Sequence, residues 1–145
     1  MPTRTILLVE DNAQDEILTV RALMRVNLAN QIDVVRDGQQ ALDWLWADGE
    51  FAGRAGAPLP AVVVLDLNLP RVGGLEVLAR LRADPRTALL PIVVLTSSDE
   101  ERDRLHSYAG GANSFVRKPL EFGEFAETVA RLGVYWLAVN QPPES

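Results

Sequence analysis

The chain has 145 residues, of which 48% are hydrophobic and 23% are charged, and its formal net charge is −6. These values suit one globular domain with a full core, and the absence of cysteine excludes disulfide scaffolds, cysteine nucleophiles and thiolate metal sites. A single histidine excludes a metal site made of several histidines. The net negative charge and the lack of a run of Lys and Arg residues argue against nucleic acid as a partner. The first apolar run, residues 6–9, is too short for a signal peptide or a membrane span, so we expect a cytoplasmic protein with no membrane partner.

Five short apolar runs predict five β-strands. The first, third and fourth runs are continuous stretches of Val, Ile and Leu, which indicate strands covered on both faces, as in a parallel sheet. The starts of successive runs are separated by roughly 22 to 30 residues, the length of a βαβ unit. In chain order the runs are 6–9, 32–35, 61–65, 91–95 and 114–116.

Each run is followed by apolar residues at three- and four-residue steps, which predict amphipathic helices. Asn12 is the expected N-cap of the first helix, and Ser97 or Ser98 is the expected N-cap of the fourth. Residues 47–60 are rich in Gly and Pro and predict a loop. The expected core-facing stripes are Ile17, Val20, Met24 and Leu28; Ala41, Leu42, Leu45 and Trp46; Leu75, Leu78, Ala79 and Leu81; Leu105 and Ala109; and Phe122, Phe125, Ala126, Val129, Leu132 and Trp136.

The alternation of strands and helices predicts an α/β fold of the (βα)5 type. Right-handed crossovers with helices on both faces give a doubly wound, flavodoxin-like parallel sheet of order 2-1-3-4-5. We expect residues 1–140 to form this single domain and residues 141–145 to form a frayed C-terminal tail. Ligands of such sheets bind at the carboxyl ends of the strands, near the switch point between strands 1 and 3.

Polar side chains follow four of the five predicted strands at that edge. Glu10 and Asp11 follow the first strand, Asp66 follows the third, Thr96 follows the fourth and Lys118 follows the fifth. Taken singly, each has an ordinary explanation as a turn former, a helix cap or a solvated loop charge. Their convergence on one edge of the sheet is harder to explain in that way, and it predicts a chemical site.

Three carboxylates close together need positive charge. At ~4 Å and an effective dielectric constant of ~20, each pair repels by about 4 kcal/mol. A hard divalent cation such as Mg²⁺ offsets this repulsion, and Lys118 adds a compact positive charge. An aspartate beside a cation, a lysine and a hydroxyl group is equipped to attack phosphorus, which would give an aspartyl phosphate.

Four segments of the chain resemble the receiver domain of two-component response regulators. The resemblance extends over residues 4 to about 137, and it implies the doubly wound fold predicted above. The matching segments, in order, are Ile-Leu-Leu-Val-Glu-Asp-Asn at 6–12, Leu-Asp-Leu-Asn-Leu-Pro at 65–70, Val-Leu-Thr-Ser-Ser at 94–98 and Gly-Ala-Asn-Ser-Phe-Val-Arg-Lys-Pro at 111–119.

The resemblance implies a role for each residue of the acidic site. Asp66 is the expected phosphoacceptor, which receives its phosphoryl group from a sensor histidine kinase. Asp11 is expected to bind Mg²⁺ directly and Glu10 mostly through water, with Asp66 and the backbone carbonyl of Asn68 as further metal ligands. Lys118 is expected to pair first with Asp66 and then with the phosphoryl group.

The resemblance also implies a conformational switch. Thr96 is expected to move toward the phosphoryl group while Phe115 turns inward, which couples the site to the face formed by helix 4, strand 5 and helix 5. The peptide bond between Lys118 and Pro119 is expected to be cis. Such a protein promotes its own phosphorylation and dephosphorylation, and we do not expect it to turn over an independent substrate.

Within the family, the chain resembles stand-alone regulators that are paired with bacterial phytochromes. The features that carry this resemblance are Asp-Leu-Asn-Leu-Pro at 66–70, the long loop 47–60 and Leu-Gly-Val-Tyr-Trp-Leu at 132–137. We therefore expect a sensor histidine kinase, and specifically a bacterial phytochrome, as the partner, and no separate output domain.

A surplus of apolar residues near the C-terminus predicts a homodimer. Residues 134–137 and Val139 supply more apolar surface than one core-facing stripe needs, and exposed clusters of this kind tend to mark interfaces. We expect the dimer to form through helix 4, strand 5 and helix 5. The alternative is that residues 135–139 fold back and cover their own core.

Three other functions deserve comparison. A flavin electron carrier would use the same sheet, but Glu10 and Asp11 would repel the flavin phosphate. A phosphatase with an aspartate nucleophile needs a second acidic residue two positions after the first, where this chain has Asn68. A degenerate receiver that acts only as a docking module is disfavoured by the intact set of acidic residues, threonine and lysine.

Overall fold

The computed structural model describes residues 5–26, 31–98 and 100–143 of the chain. Its five strands form one parallel sheet of order β2-β1-β3-β4-β5, which confirms the predicted doubly wound topology. The strands are β1 (Thr5–Val9), β2 (Gln31–Val35), β3 (Val62–Leu65), β4 (Ile92–Thr96) and β5 (Ser114–Arg117).

Helices connect the strands and cover both faces of the sheet. The last helix continues into one turn of π-helix at Tyr135–Val139, and the long loop after the second helix contains a 3₁₀-helix at Gly49–Arg54. The α-helices are α1 (Ala13–Arg25), α2 (Gly38–Trp46), α3 (Gly74–Ala83), α4 (Glu101–Ala109) and α5 (Phe122–Val134).

The continuous apolar strands feed two separate hydrophobic cores. Successive side chains of a strand point to opposite faces, so Leu7 and Val9 of β1 enter one core while Ile6 and Leu8 enter the other. Side chains of α2 and α3 complete the first core. Side chains of α1, α5 and the π-turn complete the second. The sheet is therefore buried on both faces, which leaves its carboxyl edge to display polar groups.

The predicted core face of α1 is wrong at two residues, while a third, Val20, packs against the second core as expected. Ile17 and Met24 are 50% and 65% exposed, whereas Thr19, Ala22 and Leu23 are buried, and Leu28 lies outside the described residues. Thr19, Ala22 and Leu23 form a second stripe with the same helical spacing. Gly133 of α5 lacks a side chain where α1 packs against it, and a methyl group added there would lie 3.0 Å from Leu23 Cδ2.

Further helix predictions are wrong at particular residues. The residues that are exposed rather than core-facing are Ala79 of α3, Leu105 and Ala109 of α4, and Phe122 of α5. Glu100, not Ser97 or Ser98, is the N-cap position of α4, and it makes no side-chain capping hydrogen bond. Ser98 instead donates its hydroxyl group to Asp103 at 2.6 Å and accepts the Glu100 N–H at 3.3 Å. A short polar side chain before a helix can therefore bond to the first turn from outside the cap position.

The loop 47–60 is more ordered than its Gly and Pro content indicates. Ala47 ends α2 in the left-handed conformation, and the 3₁₀-helix that follows carries Arg54 back over the core. The Arg54 guanidinium group stacks on the ring of Trp44 at 3.3 Å, and its Nε donates to the Trp44 carbonyl oxygen at 3.2 Å. Cation–π stacking and one hydrogen bond thus attach the loop to α2.

Among residues 5–26, 31–98 and 100–143, none of the helices has both the length and the apolar character required to cross a lipid bilayer.

Candidate functional site

The carboxyl edge of the sheet brings the sequence-predicted polar residues together. Glu10, Asp66 and Lys118 are buried at the ends of β1, β3 and β5, and Thr96 is buried at the end of β4. Asp11, the next residue after Glu10, is exposed at the same edge. A buried acidic cluster of this kind needs compensating charge, which the structure supplies in Lys118.

The Lys118 ammonium group lies among three carboxylates. Its Nζ donates to Glu10 Oε1 at 2.6 Å, to Asp15 Oδ2 at 2.9 Å and to Asp66 Oδ2 at 3.3 Å. Lys118 is the only lysine in the chain, and its side chain is 5% exposed. A single ammonium group has three N–H donors, so these contacts use all of them.

Burial and pairing shift the protonation of this cluster. Burial raises the pKa of Glu10 to about 7, against the opposing effect of its hydrogen bond to Lys118. Burial alone would lower the pKa of Lys118, but the hydrogen bonds to Glu10 and Asp15 and the charge of Asp66 outweigh it and raise that pKa above its usual value. Lys118 is therefore a permanent positive charge, while Glu10 can exchange a proton near neutral pH.

Three of the carboxylates are close enough to share one cation. One ligand oxygen from each of Glu10, Asp11 and Asp66 lies within 4.8 Å of the other two. Carboxylate oxygens are the ligands preferred by small hard divalent cations. The exposed position of Asp11 leaves one side of the cluster open to solvent, so an ion can enter with part of its water shell.

The loop after β3 fixes the Asp66 side chain. The Asn68 N–H donates to Asp66 Oδ1 at 3.3 Å, and the Gly74 N–H donates to the Leu67 carbonyl oxygen at 2.9 Å. A Cβ atom at Gly74 would lie 2.4 Å from the backbone oxygen of Asp66, so only glycine permits this approach of α3 to β3. The first turn of α3 thus packs directly against the backbone that carries Asp66.

Thr96 and Phe115, the expected switch residues, lie on neighbouring strands. The Thr96 side chain is fully buried, its Oγ1 accepts the Ser98 N–H at 3.3 Å, and its backbone oxygen accepts the Lys118 N–H at 2.7 Å. Within the described ranges no hydrogen bond joins Thr96 to Asp66. Phe115 is half-buried and packs against the core that contains α2 and α3.

Asp15 is the site residue that the sequence analysis missed. It lies in the first turn of α1, where an acidic residue is common because the helix dipole favours it. Asn12 caps the helix as predicted, with its Oδ1 accepting the Asp15 N–H at 3.0 Å.

One backbone prediction is wrong. No peptide bond between the described residues is cis, so the bond between Lys118 and Pro119 is trans. The trans preference of a bond to proline is only about 0.5–1 kcal/mol. Tertiary packing therefore decides the isomer, and the Lys-Pro sequence does not fix it.

Comparisons with known proteins identify similar chains. The family model described as "Response regulator receiver domain" matches residues 6–130. The "Probable methanogenesis regulatory protein FilR2" of Methanothrix harundinacea (strain 6Ac) is 41% identical over 138 residues, which is 95% of this chain and 86% of FilR2. The response regulator Rcp1 of Synechocystis sp. (strain ATCC 27184 / PCC 6803 / Kazusa) is 34% identical over 136 residues, or 94% of this chain and 90% of Rcp1.

Two solved structures closely match the fold. The phosphorylated cyanobacterial phytochrome response regulator RcpA superposes with a TM-score of 0.91 at 35% identity, over 99% of this chain and 100% of RcpA. The Mn²⁺-bound form of Rcp1 superposes with a TM-score of 0.89 at 33% identity, over 97% of this chain and 99% of Rcp1.

Proposed function

The chain belongs to the response regulator receiver domain family, and from this premise we propose that Asp66 accepts a phosphoryl group from a sensor histidine kinase. The observation that carries the proposal is the contact of the buried Asp66 carboxylate with the Lys118 ammonium group inside an acidic cluster. Because the chain belongs to this family, a flavin electron carrier and a phosphatase are no longer needed as alternative functions. The phosphorylated state of the similar protein RcpA gives further support.

The transfer is a displacement at phosphorus. An oxygen of the Asp66 carboxylate attacks the phosphorus of a phosphohistidine, the P–N bond breaks as the new P–O bond forms, and the histidine nitrogen keeps the electron pair. Lys118 neutralises charge on the phosphoryl oxygens. Attack of water on the same phosphorus later returns the free Asp66 carboxylate and phosphate, so the protein promotes its own dephosphorylation and has no separate substrate.

The acidic cluster would hold Mg²⁺. Asp11 and Asp66 would bind it directly, Glu10 mostly through water, and the backbone carbonyl of Asn68 would complete the protein ligands. When bound, the ion supplies positive charge for the phosphoryl oxygens. The Mn²⁺-bound form of Rcp1 supports a divalent cation in this chain as well.

Phosphorylation would be read out through protein contacts. Thr96 lies at the end of β4, where a hydroxyl group can turn toward a phosphoryl group on Asp66, and Phe115 follows it inward. These two movements change the face formed by α4, β5 and α5, which is a two-state population shift. The alternative, a degenerate receiver that only docks, predicts no phosphorylation of Asp66.

The similarity to RcpA favours a bacterial phytochrome as the kinase partner. We further propose that residues 1–140 act as one receiver domain with a tail at 141–145, and that the protein works in the cytoplasm. Neither nucleic acid nor membrane is part of the proposed mechanism.

Two large apolar side chains that follow Lys118 in the chain are exposed, and we propose that a kinase docks on them. Leu120, two residues after Lys118, is 90% exposed, and Phe122 at the start of α5 is 70% exposed. We expect Leu120→Asp to slow phosphotransfer from the cognate kinase by at least roughly tenfold, since a buried interface charge costs more than 1.4 kcal/mol. Phosphorylation by acetyl phosphate should stay unchanged.

The measurement is transfer of phosphate from a panel of purified histidine kinases, phytochromes included, to wild type, Leu120→Asp and a control, Leu89→Asp. Leu89 is also exposed but lies between α3 and β4. The proposal fails if no kinase transfers phosphate to Asp66. If Leu89→Asp and Leu120→Asp slow the transfer equally, the proposed docking role of Leu120 is wrong, but the phosphorylation of Asp66 still stands.

The proposed homodimer uses the α4, β5 and α5 face. The structure partly accounts for the apolar surplus in another way, because Trp136 and Leu137 are buried in the second core. Val134, Tyr135 and Val139 stay exposed at the end of α5. These three side chains support an isologous contact of two identical faces.

We expect light scattering at micromolar concentration to give the mass of two chains of 15.9 kDa each. Tyr135→Lys should shift the mass toward one chain, because it places a charge at the centre of the contact, whereas Leu89→Lys should leave the dimer intact. A mass of one chain at all concentrations, with and without phosphodonor, would contradict the dimer.

A further inference from the structure

We infer that Asp15 is a positioning residue that competes with the phosphoryl group for Lys118, and that it thereby slows the phosphorylation of Asp66. The inference rests on the proposed function and concerns its rate. It assigns a role to the third carboxylate on the ammonium group, which the transfer mechanism above does not use.

The geometry sets Asp15 apart from the other two partners of Lys118. The Asp15 side chain is 27% exposed, whereas those of Glu10 and Asp66 are 2% and 8% exposed. Its contact with Nζ, at 2.9 Å, is shorter than the 3.3 Å contact that Asp66 makes. The partner on the rim of the site therefore holds the ammonium group more closely than the phosphoacceptor does.

The Lys118 ammonium group has only three N–H donors, so its contacts compete with one another. All three N–H donors of Lys118 are engaged. The donor now on Asp66 passes to the phosphoryl group in the proposed mechanism, and a second donor becomes available only if Glu10 or Asp15 gives one up. Glu10 is poorly placed to yield, because it is buried and its Oε2 also accepts the Asn12 N–H. Asp15 is partly exposed, so water can replace its contact at low cost.

Electrostatics act in the same direction. Phosphodonors such as acetyl phosphate are anions, and Asp15 adds a negative charge beside the one ammonium group that faces them. Removal of this charge should release Lys118 toward the phosphoryl group and weaken the repulsion of the donor. We expect Asp15→Asn to raise the rate of phosphorylation by roughly two- to fivefold, the range set by a partly exposed ion pair.

The matched control lies on the same turn of α1. Glu16 is also acidic, but its carboxylate pairs with Arg36 at 3.0 Å. Glu16→Gln therefore removes one negative charge without changing a Lys118 contact. Asp15→Glu keeps the charge at the position and should stay close to the wild-type rate, whereas an effect of packing would make it resemble Asp15→Asn.

A second measurement observes Lys118 directly. Because Lys118 is the only lysine, isotope labelling of lysine gives one side-chain NMR signal. Beryllium fluoride, a phosphoryl mimic, should shift this signal in the wild type. The unliganded signal of Asp15→Asn should move part of the way in that direction, and that of Glu16→Gln should not.

The test combines time courses of the Asp66 adduct, followed by intact mass with acetyl phosphate and Mg²⁺, with these spectra. A faster Asp15→Asn, with wild-type rates for Glu16→Gln and Asp15→Glu, supports the inference. Equal or slower phosphorylation of Asp15→Asn, equal acceleration by Glu16→Gln, or an unmoved Lys118 signal overturns it. If the wild type forms no Asp66 adduct at all, the proposed function fails and the inference fails with it.

Discussion

Replacement of Lys118 by methionine is expected to lower the free energy of unfolding by about 3–5 kcal/mol at about pH 8 without added metal. The substitution keeps much of the side-chain volume but leaves the buried carboxylates of Glu10 and Asp66 without a counter-charge. Breaking a buried ion pair on one side is costly because the remaining charge stays out of water. A contribution of this size is a large fraction of the stability of a typical domain.

The loss should be smaller at about pH 5.5 than at about pH 8. The pKa of Glu10 is already raised to about 7 with Lys118 present, and removal of the ammonium group raises it further. A carboxyl group whose folded-state pKa is raised binds a proton that the unfolded chain has released, so stability falls as pH rises through the interval between the two pKa values. At the lower pH the variant keeps the Glu10 carboxyl group neutral.

Urea unfolding at the two pH values measures both effects. Arg36→Gln is the control, because it also removes one cation from an ion pair, but Arg36 is 61% exposed and should contribute less than about 1 kcal/mol. Equal stability of Lys118→Met and wild type at the higher pH would show that the buried carboxylates do not depend on Lys118.

Removal of Asp11 is expected to abolish the stabilisation of the protein by Mg²⁺. A ligand that binds only the folded state stabilises it by RT ln(1 + [L]/Kd), which is about 2.7 kcal/mol when Mg²⁺ is at 100 times its Kd. Asp11 is exposed, so Asp11→Ala should change the stability of the metal-free protein little. The wild-type affinity should weaken as pH falls below about 7, because Glu10 then holds a proton that competes with the ion.

Thermal or urea unfolding across a Mg²⁺ titration tests this expectation. Glu76→Gln is the matched control, since Glu76 is an exposed acidic residue on α3 outside the cluster. If Asp11→Ala gains as much stability from Mg²⁺ as the wild type does, Asp11 is not a ligand. If Glu76→Gln also loses the stabilisation by Mg²⁺, the ion acts by general screening of the acidic surface and not by binding at the cluster.

The strand order was predictable because the apolar runs at 6–9, 61–65 and 91–95 leave few options. A continuous run must be buried on both faces, and right-handed crossovers then leave few strand orders, of which the resemblance to receiver domains favours 2-1-3-4-5. The core face of α1 was not predictable from spacing alone. Ile17 and Met24 share the helical period with Thr19 and Leu23, and the packing of Leu23 against Gly133 of α5 selects the second stripe.

The position of the site was predictable for a similar reason. Residues that directly follow parallel strands must meet at one edge, which brings Glu10, Asp66 and Lys118 together. Asp15 has no such constraint in the sequence, because an acidic residue in the first turn of a helix has an ordinary explanation. Only the folded chain shows that this turn lies above the Lys118 ammonium group.

The most direct test of the account is the intact mass of the protein after incubation with acetyl phosphate and Mg²⁺. Asp66→Asn is the decisive variant, because the amide has nearly the shape of the carboxylate but cannot act as the nucleophile. We expect one phosphoryl group on the wild type and none on Asp66→Asn. A phosphoryl adduct that persists in Asp66→Asn, or its absence from the wild type, would contradict the assignment of Asp66 as the phosphoacceptor.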